Sequence, residues 1–412
     1  MKYNTYTLDN GLRIIHLPSD SKVVYCGYQI NAGTRDEEPG EEGLAHFCEH
    51  VTFKGTERRK AWHILNCLES VGGDLNAYTN KEGTVYYSAI LKEHIARAVD
   101  LLSDIVFHSV YPQAEIDKEV EVICDEIESY NDSPAELIYD EFENILFKDS
   151  SLGHNILGTA EQVRSFTTED ALRFTRKLYR PDNAIFFAYG DIDFKKLVKL
   201  VGRALADDDS GKLAAGILPK NYPSVREEIA GQTIVMQKNT HQAHVMIGTR
   251  AYDVNDDRRM PLYLLNNILG GPGMNAKLNL ALREHNGLVY TVESTMVAYG
   301  DTGTWSIYFG CDEHDIKRCL RLVRKELDRM MEKPLSDSQL KAAKKQIKGQ
   351  IGVACDNREN FALDFGKSFL HYGWEKNVDC LYEQVEAITS QQIQDVAREL
   401  FDKNRLITLI FK

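Results

Sequence analysis

The chain has 412 residues, of which 43% are hydrophobic and 27% are charged, and its formal net charge is −13. This length and composition are typical of a globular protein with two or more domains, each with a substantial core. The negative charge argues against a general nucleic-acid binder, and the absence of any run of about 18 apolar residues argues against a transmembrane helix.

The N-terminus and the cysteines indicate a cellular compartment. The first residues, M-K-Y-N-T-Y-T-L-D-N-G-L, have neither an apolar signal core nor an Arg-rich amphipathic pattern. Eight cysteines are scattered without C-x-x-C pairs, which favours free thiols in a reducing environment. We therefore expect a cytoplasmic protein, or an organellar protein that has already been processed.

Strand-like runs at 3–18 and 22–32 open the chain, and a helix is predicted to begin near residue 42. This helix contains the sequence H-x-x-E-H, formed by His46, Glu49 and His50. The two histidines lie one helical turn apart, so both imidazoles can bind one metal ion, and the glutamate between them is placed to act as a general base for a metal-bound water. This order is that of the inverted zinc peptidases. The alternatives are a surface helix with two unrelated histidines, and core histidines whose hydrogen bonds are satisfied within the protein.

The next predicted elements are a helix at 61–71, two strands and a helix near 94–106. The two strands are L-N-A-Y-T-N and T-V-Y-Y-S-A-I. The next segment, Gln113–Asn131, has an apolar stripe at helical spacing. Glu119 and Glu126 lie seven residues apart on nearly the same face of that helix. A catalytic zinc usually has three protein ligands, and either carboxylate could be the third.

Further helices are predicted at 134–147 and 168–179, followed by the strand A-I-F-F-A-Y-G. The polar segment 207–223 is interrupted by Gly and Pro and is predicted to be a linker. The sequence after it repeats the first half at an offset of 220, with Gly83-Thr84 matching Gly303-Thr304 and Glu93-His94 matching Glu313-His314.

The repeat does not carry the metal motif. The three positions of H-x-x-E-H correspond to Asn266, Leu269 and Gly270, and Glu126 corresponds to Gln346. None of these residues can replace the ligand that it matches, so we expect no metal site in the second half.

The pattern of the candidate site residues resembles that of the pitrilysin superfamily, which includes insulin-degrading enzyme and the mitochondrial processing peptidase. The pattern consists of His46, Glu49 and His50, followed by Glu126, which lies 76 residues beyond His50. Three surrounding motifs match as well: N-A-G-T-R-D-E at 31–37, G-L-A-H-F-C-E-H-V-T-F-K-G-T at 43–56 and G-G-D-L-N-A-Y-T at 72–79. The resemblance covers nearly the whole chain. It implies that Glu126 is the third ligand of one Zn²⁺ per chain and that Glu119 supports the site.

The resemblance also implies roles for residues outside the metal motif. Arg283 and Tyr290 match a pair that reaches the active site from the second domain, where a cation and a phenol can stabilise the oxyanion as it forms. Asn76 and Ala77 match positions along a strand edge to which the substrate adds as a further β-strand, a mode that requires an unfolded peptide.

The implied fold class is α+β, with two homologous tandem domains that each pack a mostly antiparallel sheet against helices and together form half of a clamshell. The predicted boundaries are a catalytic domain at 1–206, the linker at 207–223 and a metal-free domain at 224–412. A complete clamshell needs four such domains, so two chains must pair. A homodimer is the simplest prediction, and a heterodimer with a related subunit is the alternative.

The predicted function is a zinc-dependent endopeptidase that hydrolyses unfolded peptides or small polypeptides inside this chamber. Two alternatives are a dedicated processing peptidase for one precursor or leader peptide, and a catalytically silent scaffold subunit. The intact motif residues argue against the scaffold. Neither nucleic acid nor a membrane is expected as a partner.

Overall fold

Two β-sheets, each packed against helices, form the framework of the molecule. The computed structural model describes residues 1–206, 220, 222 and 231–412. Apart from Lys220 and Tyr222, the predicted linker lies outside the described residues.

Strands and helices follow one another in the order expected of a duplicated α+β chain. The strands are β1 (Asn4–Thr7), β2 (Arg13–Pro18), β3 (Val23–Ile30), β4 (Asp74–Thr79), β5 (Thr84–Leu91), β6 (Ala184–Gly190), β7 (Thr233–Met236), β8 (Ala243–Ala251), β9 (Val289–Ala298), β10 (Gly303–Cys311) and β11 (Ile407–Phe411). The helices are α1 (Leu44–Thr52), α2 (Ala61–Glu69), α3 (Ile95–Phe107), α4 (Gln113–Asn131), α5 (Pro134–Leu146), α6 (Ala160–Val163), α7 (Thr168–Leu178), α8 (Phe194–Ala204), α9 (Arg259–Gly270), α10 (Ile316–Glu332), α11 (Asp337–Ala354), α12 (Arg358–Tyr372), α13 (Val378–Ala387) and α14 (Ser390–Leu400).

The first compact unit contains residues 1–128, 154–206 and 354–377, together with Lys220 and Tyr222. Its sheet has the strand order β1-β2-β6-β3-β5-β4, in which β2 and β6 are parallel and the other neighbours are antiparallel. Helices cover both faces. Tyr28 contacts Phe107 of α3, whereas its neighbour Gln29 points to the opposite face and donates to the carbonyl of Leu363 in α12.

The second compact unit contains residues 129–153, 231–353 and 378–412. Its sheet has the order β7-β11-β8-β10-β9, with β7 and β11 parallel and the other neighbours antiparallel. The predicted α+β fold with two mostly antiparallel sheets is therefore confirmed.

Each unit includes one helix from the other half of the sequence. Helix α5 packs on the second sheet, where its apolar residues join a core that includes residues of β8, β10 and β11. Helix α12 packs on β3 and β6 of the first sheet, with Phe365 buried against Phe187 and Tyr189. A division at the predicted boundaries, 1–206 and 224–412, does not describe this exchange.

Arginines bind the last carbonyls of both exchanged helices. Arg13 donates to the carbonyls of Phe369 and Leu370 in α12, each at 3.0 Å, and Arg250 donates to the carbonyl of Leu146 in α5 at 2.7 Å. These carbonyls lie in the last turn of each helix, where intrahelical partners run out, although that of Phe369 also accepts from the N–H group of Gly373 at 3.2 Å. The positive charge suits the negative end of the helix dipole. The exchanged helices are thus held by polar contacts as well as by their apolar faces.

The predicted repeat extends to the capping of equivalent helices. Helix α7 begins with a capping box formed by Thr167 and Asp170, and α14 begins with one formed by Thr389 and Gln392. The two boxes are separated by 222 residues, the offset at which the sequence also matches Glu161-Gln162-Val163 to Glu383-Gln384-Val385. Local signals that start a helix have therefore been kept in both copies.

Within the described residues, no helix combines the length and the apolar character that crossing a bilayer requires.

A buried carboxylate on α3 holds the loop that follows α1. Asp104 has a fully buried side chain and accepts hydrogen bonds from the hydroxyl of Thr56 at 2.8 Å, from Nε of Arg58 at 3.0 Å and from Arg59. Burial by itself would raise the pKa of Asp104, but these hydrogen bonds outweigh it and hold the pKa below its ordinary value.

Replacing Asp104 by Asn should lower the free energy of unfolding by about 2–4 kcal/mol at pH 7, because Arg58 and the largely buried Arg59 lose the counter-charge at this buried position. The ionised carboxylate stabilises the fold above the pKa of an unfolded aspartate, about 3.9. That contribution is lost as the pH falls through the lower pKa of the folded protein. In urea unfolding, the difference between parent and variant should therefore narrow only below about pH 4.

The matched control is Asp100→Asn, since Asp100 pairs with the same two arginines but its side chain is 45% exposed. We expect a loss below about 1 kcal/mol for this control. Equal losses for the two variants, or a difference that does not change with pH, would contradict the assignment.

Candidate metal centre and active site

Helix α1 presents its polar residues on one side because its other side is buried in the core. Leu44, Phe47, Cys48 and Val51 are fully buried. Cys48 therefore packs in the core, as expected for a residue on the side opposite the two histidines. Gly43 precedes the helix in a left-handed conformation, with φ of 95°, that a residue with a side chain rarely adopts.

The structure brings the predicted ligands together. Nε2 of His50 lies 3.3 Å from Oε2 of Glu126, and Nε2 of His46 lies 3.9 Å from Oε1 of the same carboxylate. One ligand atom from each of the three residues lies within 4.8 Å of the others. The side chain of Glu126 is 45% exposed, so the cluster is open to solvent on one side.

Glu119 has a different place from Glu126. Its Oε1 lies 3.1 Å from Nδ1 of His50, and its Oε2 lies 2.5 Å from Nζ of Lys54. Glu119 therefore orients the far side of the His50 ring, as a supporting carboxylate does for a metal-binding histidine. The residues alone left the choice between Glu119 and Glu126 open, and their geometry separates the two.

Glu49 is buried beside the cluster and accepts a hydrogen bond of 2.6 Å from the hydroxyl of Thr79, the last residue of β4. Burial raises the pKa of Glu49, and the Thr79 hydrogen bond only partly opposes this effect. A buried carboxylate with a raised pKa and one fixed oxygen is suited to accept and release a proton.

The two histidines differ in their pKa values when no metal is bound. Burial and the neighbouring His50 lower the pKa of His46 to about 4, so this ring is neutral, as a metal ligand must be. Burial would also lower the pKa of His50, but its hydrogen bonds to Glu119 and Glu126 outweigh that effect and raise the pKa to about 9. Binding of a cation must therefore displace a proton from His50.

The donor set fits a zinc ion. Two imidazoles and one carboxylate, with no thiolate among them, match the ligands of catalytic zinc and leave a fourth position for water or substrate. Glu126 would supply negative charge, and Glu119 would accept the proton on Nδ1 of His50, which directs Nε2 toward the ion.

The predicted substrate residues lie on β4, which ends the described sheet and pairs with β5. Asn76 is exposed, and Ala77 is partly buried on the face that packs against the core. The outer edge of this strand is the place where a further strand could pair.

Arg283 and Tyr290 belong to the second compact unit. Arg283 lies in a π-helical segment, Asn279–Glu284, and its Cζ lies 5.6 Å from the ring centroid of Tyr290 at the start of β9. The Tyr290 side chain is 81% exposed, and its hydroxyl is thus available to a ligand. The structure places the two predicted residues side by side, and their catalytic role stays a prediction.

The sequence did not single out Thr79 or Lys54 as site residues. Lys54 follows His50 by four residues, a helical spacing that could have suggested a common neighbour. No local signal connects Thr79 with Glu49, because the two residues are 30 positions apart and meet only through packing of β4 on α1.

The fold and site define a class of protein: a duplicated α+β chain whose first half carries an inverted His-Glu-His motif and whose second half has no equivalent at the matching positions. The model of the insulinase domain of peptidase family M16 matches residues 14–160, and that of the peptidase M16 inactive domain matches residues 165–347. The chain belongs to peptidase family M16.

Two relatives that match almost the whole chain are both described as zinc proteases. The chain is 32% identical over 409 residues to an uncharacterized zinc protease of Streptomyces coelicolor, covering 98% of this chain and 88% of the relative. It is 31% identical over 407 residues to the uncharacterized zinc protease YmxG of Bacillus subtilis, covering 98% and 97%. Among solved structures, a peptidase M16 inactive domain from Pseudomonas fluorescens is similar in fold, with a TM-score of 0.90 at 16% identity, covering 100% of this chain and 98% of that one.

Replacement of Glu126 by Gln should weaken Zn²⁺ binding more than replacement of Glu119 by Gln. The first change removes a charged ligand, whereas the second removes only the group that orients His50, for which we expect a loss of about 10- to 100-fold. Competition with a chromophoric chelator measures both affinities.

Glu121→Gln is the control for this comparison, since Glu121 lies on the same helix, is exposed and pairs with Arg164. It should bind Zn²⁺ as the parent does. A larger loss for the Glu119 variant than for the Glu126 variant would reverse the assignment of the two carboxylates.

Proposed function

We propose that this protein is a zinc-dependent endopeptidase that hydrolyses unfolded peptides or small polypeptides. The observation that carries the proposal is the position of Glu49, a buried carboxylate held by Thr79 beside the three converging ligands. The description of the relatives as zinc proteases supports the same reading.

His46, His50 and Glu126 would hold the zinc ion. When bound at such a site, zinc lowers the pKa of a water molecule and polarises a carbonyl group. Glu119 and Lys54 keep the His50 ring in the orientation that binding requires, because their ion pair fixes the carboxylate that faces Nδ1.

Glu49 would carry the proton during hydrolysis. Its free oxygen accepts a proton from the attacking water and delivers it to the nitrogen of the leaving amine, while the Thr79 hydroxyl holds the other oxygen in place. Because burial raises its pKa, the carboxyl group is a stronger base than an exposed glutamate and can take up this proton more readily.

The edge of β4 would bind the peptide as an added strand. Backbone hydrogen bonds at Asn76 and Ala77 would fix its register, and Thr79 at the end of the same strand would bring the scissile bond toward Glu49. A folded protein cannot offer a free strand of this kind, so the substrate must be unfolded.

Arg283 and Tyr290 would stabilise the oxygen of the reacting carbonyl. A guanidinium group and an exposed phenol hydroxyl can both interact with a developing negative charge. This role rests on the family resemblance and on the two side chains being adjacent.

A homodimer would complete the chamber, because one chain supplies two of the four domains that a clamshell needs and carries both the metal motif and the Arg283–Tyr290 pair. We expect it to act in the cytoplasm, or in an organelle after processing. A heterodimer with a related subunit is the alternative, and the sedimentation mass of the purified chain distinguishes the two.

Two other functions remain to be separated from this one. A dedicated processing peptidase would cut a mixed peptide pool at one motif, whereas a general endopeptidase would cut at many positions. A silent scaffold subunit would cut at none with or without a chelator, and the complete His46, Glu49, His50 and Glu126 set argues against it.

Glu49→Gln should abolish peptide cleavage while leaving Zn²⁺ binding intact. The amide cannot accept the proton, so kcat should fall by about 10²- to 10⁴-fold. Cleavage of a quenched fluorescent peptide measures the rate, and metal analysis measures the zinc content.

Glu69→Gln, at an exposed position of α2, is the control. A Glu49 variant that cleaves as fast as the parent would remove this residue from the mechanism.

Tyr290→Phe should lower kcat by about 10²-fold with little change in KM, because the hydroxyl would act on the oxyanion rather than on the bound substrate. Since the side chain is exposed, folding should be unaffected. Tyr6→Phe, at an exposed tyrosine of β1, is the matched control. An unchanged kcat in the Tyr290 variant would show that the hydroxyl of this residue takes no part in catalysis.

A further inference from the structure

The segment of residues 31–37, N-A-G-T-R-D-E, joins β3 to the loop before α1 and takes no part in the proposed chemistry. We propose that it is a positioning element that fixes α1 and the end of β4 relative to each other, and that Glu37 is its positioning residue for the metal-binding helix. The inference rests on the proposed function in one respect, since it assigns Glu37 a role in zinc binding and turnover.

Glu37 caps α1 from outside the helix. Its carboxylate accepts hydrogen bonds from the backbone N–H groups of Gly43 at 3.1 Å and of Ala45 at 2.8 Å. Gly43 is the N-cap residue and has no side chain for this purpose, so Glu37 takes its place for the N–H groups of Gly43 and Ala45, while the N–H group of Leu44 donates to the carbonyl of Glu41 at 2.9 Å. His46, one of the predicted metal ligands, directly follows Ala45 in the first turn of the helix.

The Glu37 carboxylate is itself rigidly held. Its side chain is 1% exposed, and its Oε2 lies 2.8 Å from Nε2 of His154. The carbonyl of His154 accepts a hydrogen bond from Lys81, in the turn between β4 and β5. A buried carboxyl group with hydrogen-bond partners on two sides fixes where the first turn of α1 begins.

The same segment is bonded directly to the turn after β4. The backbone N–H groups of Thr34 and Arg35 donate to the carbonyls of Asn80 at 3.2 Å and Lys81 at 2.7 Å. A Cβ atom on Gly33 would lie 2.3 Å from the Asn80 carbonyl oxygen, so this approach requires glycine.

Side chains strengthen this second attachment. The fully buried guanidinium of Arg35 forms an ion pair of 2.8 Å with Glu82. Its Cζ also lies 3.6 Å from the ring centroid of Tyr222. Asp36 is paired with Nζ of Lys220 at 2.7 Å.

The two attachments meet at Glu49. One holds the start of the helix that carries Glu49 and both histidines, and the other holds the turn that follows Thr79, whose hydroxyl binds the Glu49 carboxylate. A displacement of residues 31–37 would therefore shift the proton-carrying group and its hydrogen-bond donor relative to each other.

Replacement of Glu37 by Ala tests the proposal in the full-length protein. We expect the dissociation constant for Zn²⁺ to rise by about tenfold or more, as for loss of groups that orient metal ligands. At saturating Zn²⁺, kcat should fall while KM changes little. Glu37→Gln keeps an acceptor oxygen for the N–H groups and should partly restore both quantities.

Asp193→Ala is the matched control, because Asp193 caps α8 in the same compact unit by accepting from the N–H group of Lys196 at 2.7 Å. Both alanine variants remove one helix cap, and the Glu37 variant should lower the urea midpoint further, because its carboxylate is buried whereas Asp193 is exposed. Only the Glu37 variant should change Zn²⁺ affinity and kcat.

Equal Zn²⁺ affinity in parent, Glu37→Ala and Asp193→Ala would overturn the inference, and so would a Glu37→Gln variant no better than Glu37→Ala in both Zn²⁺ affinity and kcat. Competition with a chelator needs no catalytic turnover. If the parent protein cleaves no peptide, the proposed function fails, whereas the positioning of the metal-binding helix by Glu37 is still decided by the Zn²⁺ titration.

Discussion

Burial of ionisable side chains between α1, α4 and β4 is the constraint on which the site depends. A charge withdrawn from water is tolerated only when another group compensates it. His50 lies between two carboxylates, Glu49 has its hydroxyl donor, and His46 avoids the problem by remaining neutral. Because the compensating partners come from separate elements of the chain, the site exists only when those elements are packed together, and correct packing and correct chemistry are therefore the same condition.

The duplication separates what the fold needs from what the chemistry needs. Both halves retain a capping box at the start of an equivalent helix, α7 and α14. Both also have an arginine, Arg13 or Arg250, that donates to the last carbonyls of the exchanged helix. At the positions that match the ligands, the second half has Asn266, Gly270 and Gln346, which hold the fold together in other ways: Asn266 accepts from Ser294, and Gln346 pairs with Asn275. The metal ligands are therefore dispensable for the architecture.

Much of the site could be predicted from the sequence because its central part is local. The spacing of His46, Glu49 and His50 fixes their common face on any helix, and the structure agrees. The third ligand could not be chosen from spacing, since Glu119 and Glu126 share a face of α4. Only the packed structure shows that Glu126 approaches Nε2 of both histidines, whereas Glu119 lies between Nδ1 of His50 and Lys54. Thr79 was beyond prediction for a stronger reason, because it meets Glu49 only through packing of segments 30 residues apart. Glu37 is close in sequence to the N–H groups that it binds, but it lies outside the helix, and no helical or strand spacing indicates the contact. The exchange of α5 and α12 was missed in the same way, because periodicity identifies an apolar face but not the sheet that covers it.

The exchange of helices has a consequence for synthesis on the ribosome. The face of the first sheet that α12 covers consists of strands complete by residue 190, whereas α12 ends at Tyr372. While the intervening residues are being translated, this apolar face has no covering helix of its own. The half that carries the His46, Glu49 and His50 motif can therefore reach its mature form only when nearly all of the polypeptide has left the exit tunnel, so a truncated product would not contain a completed site.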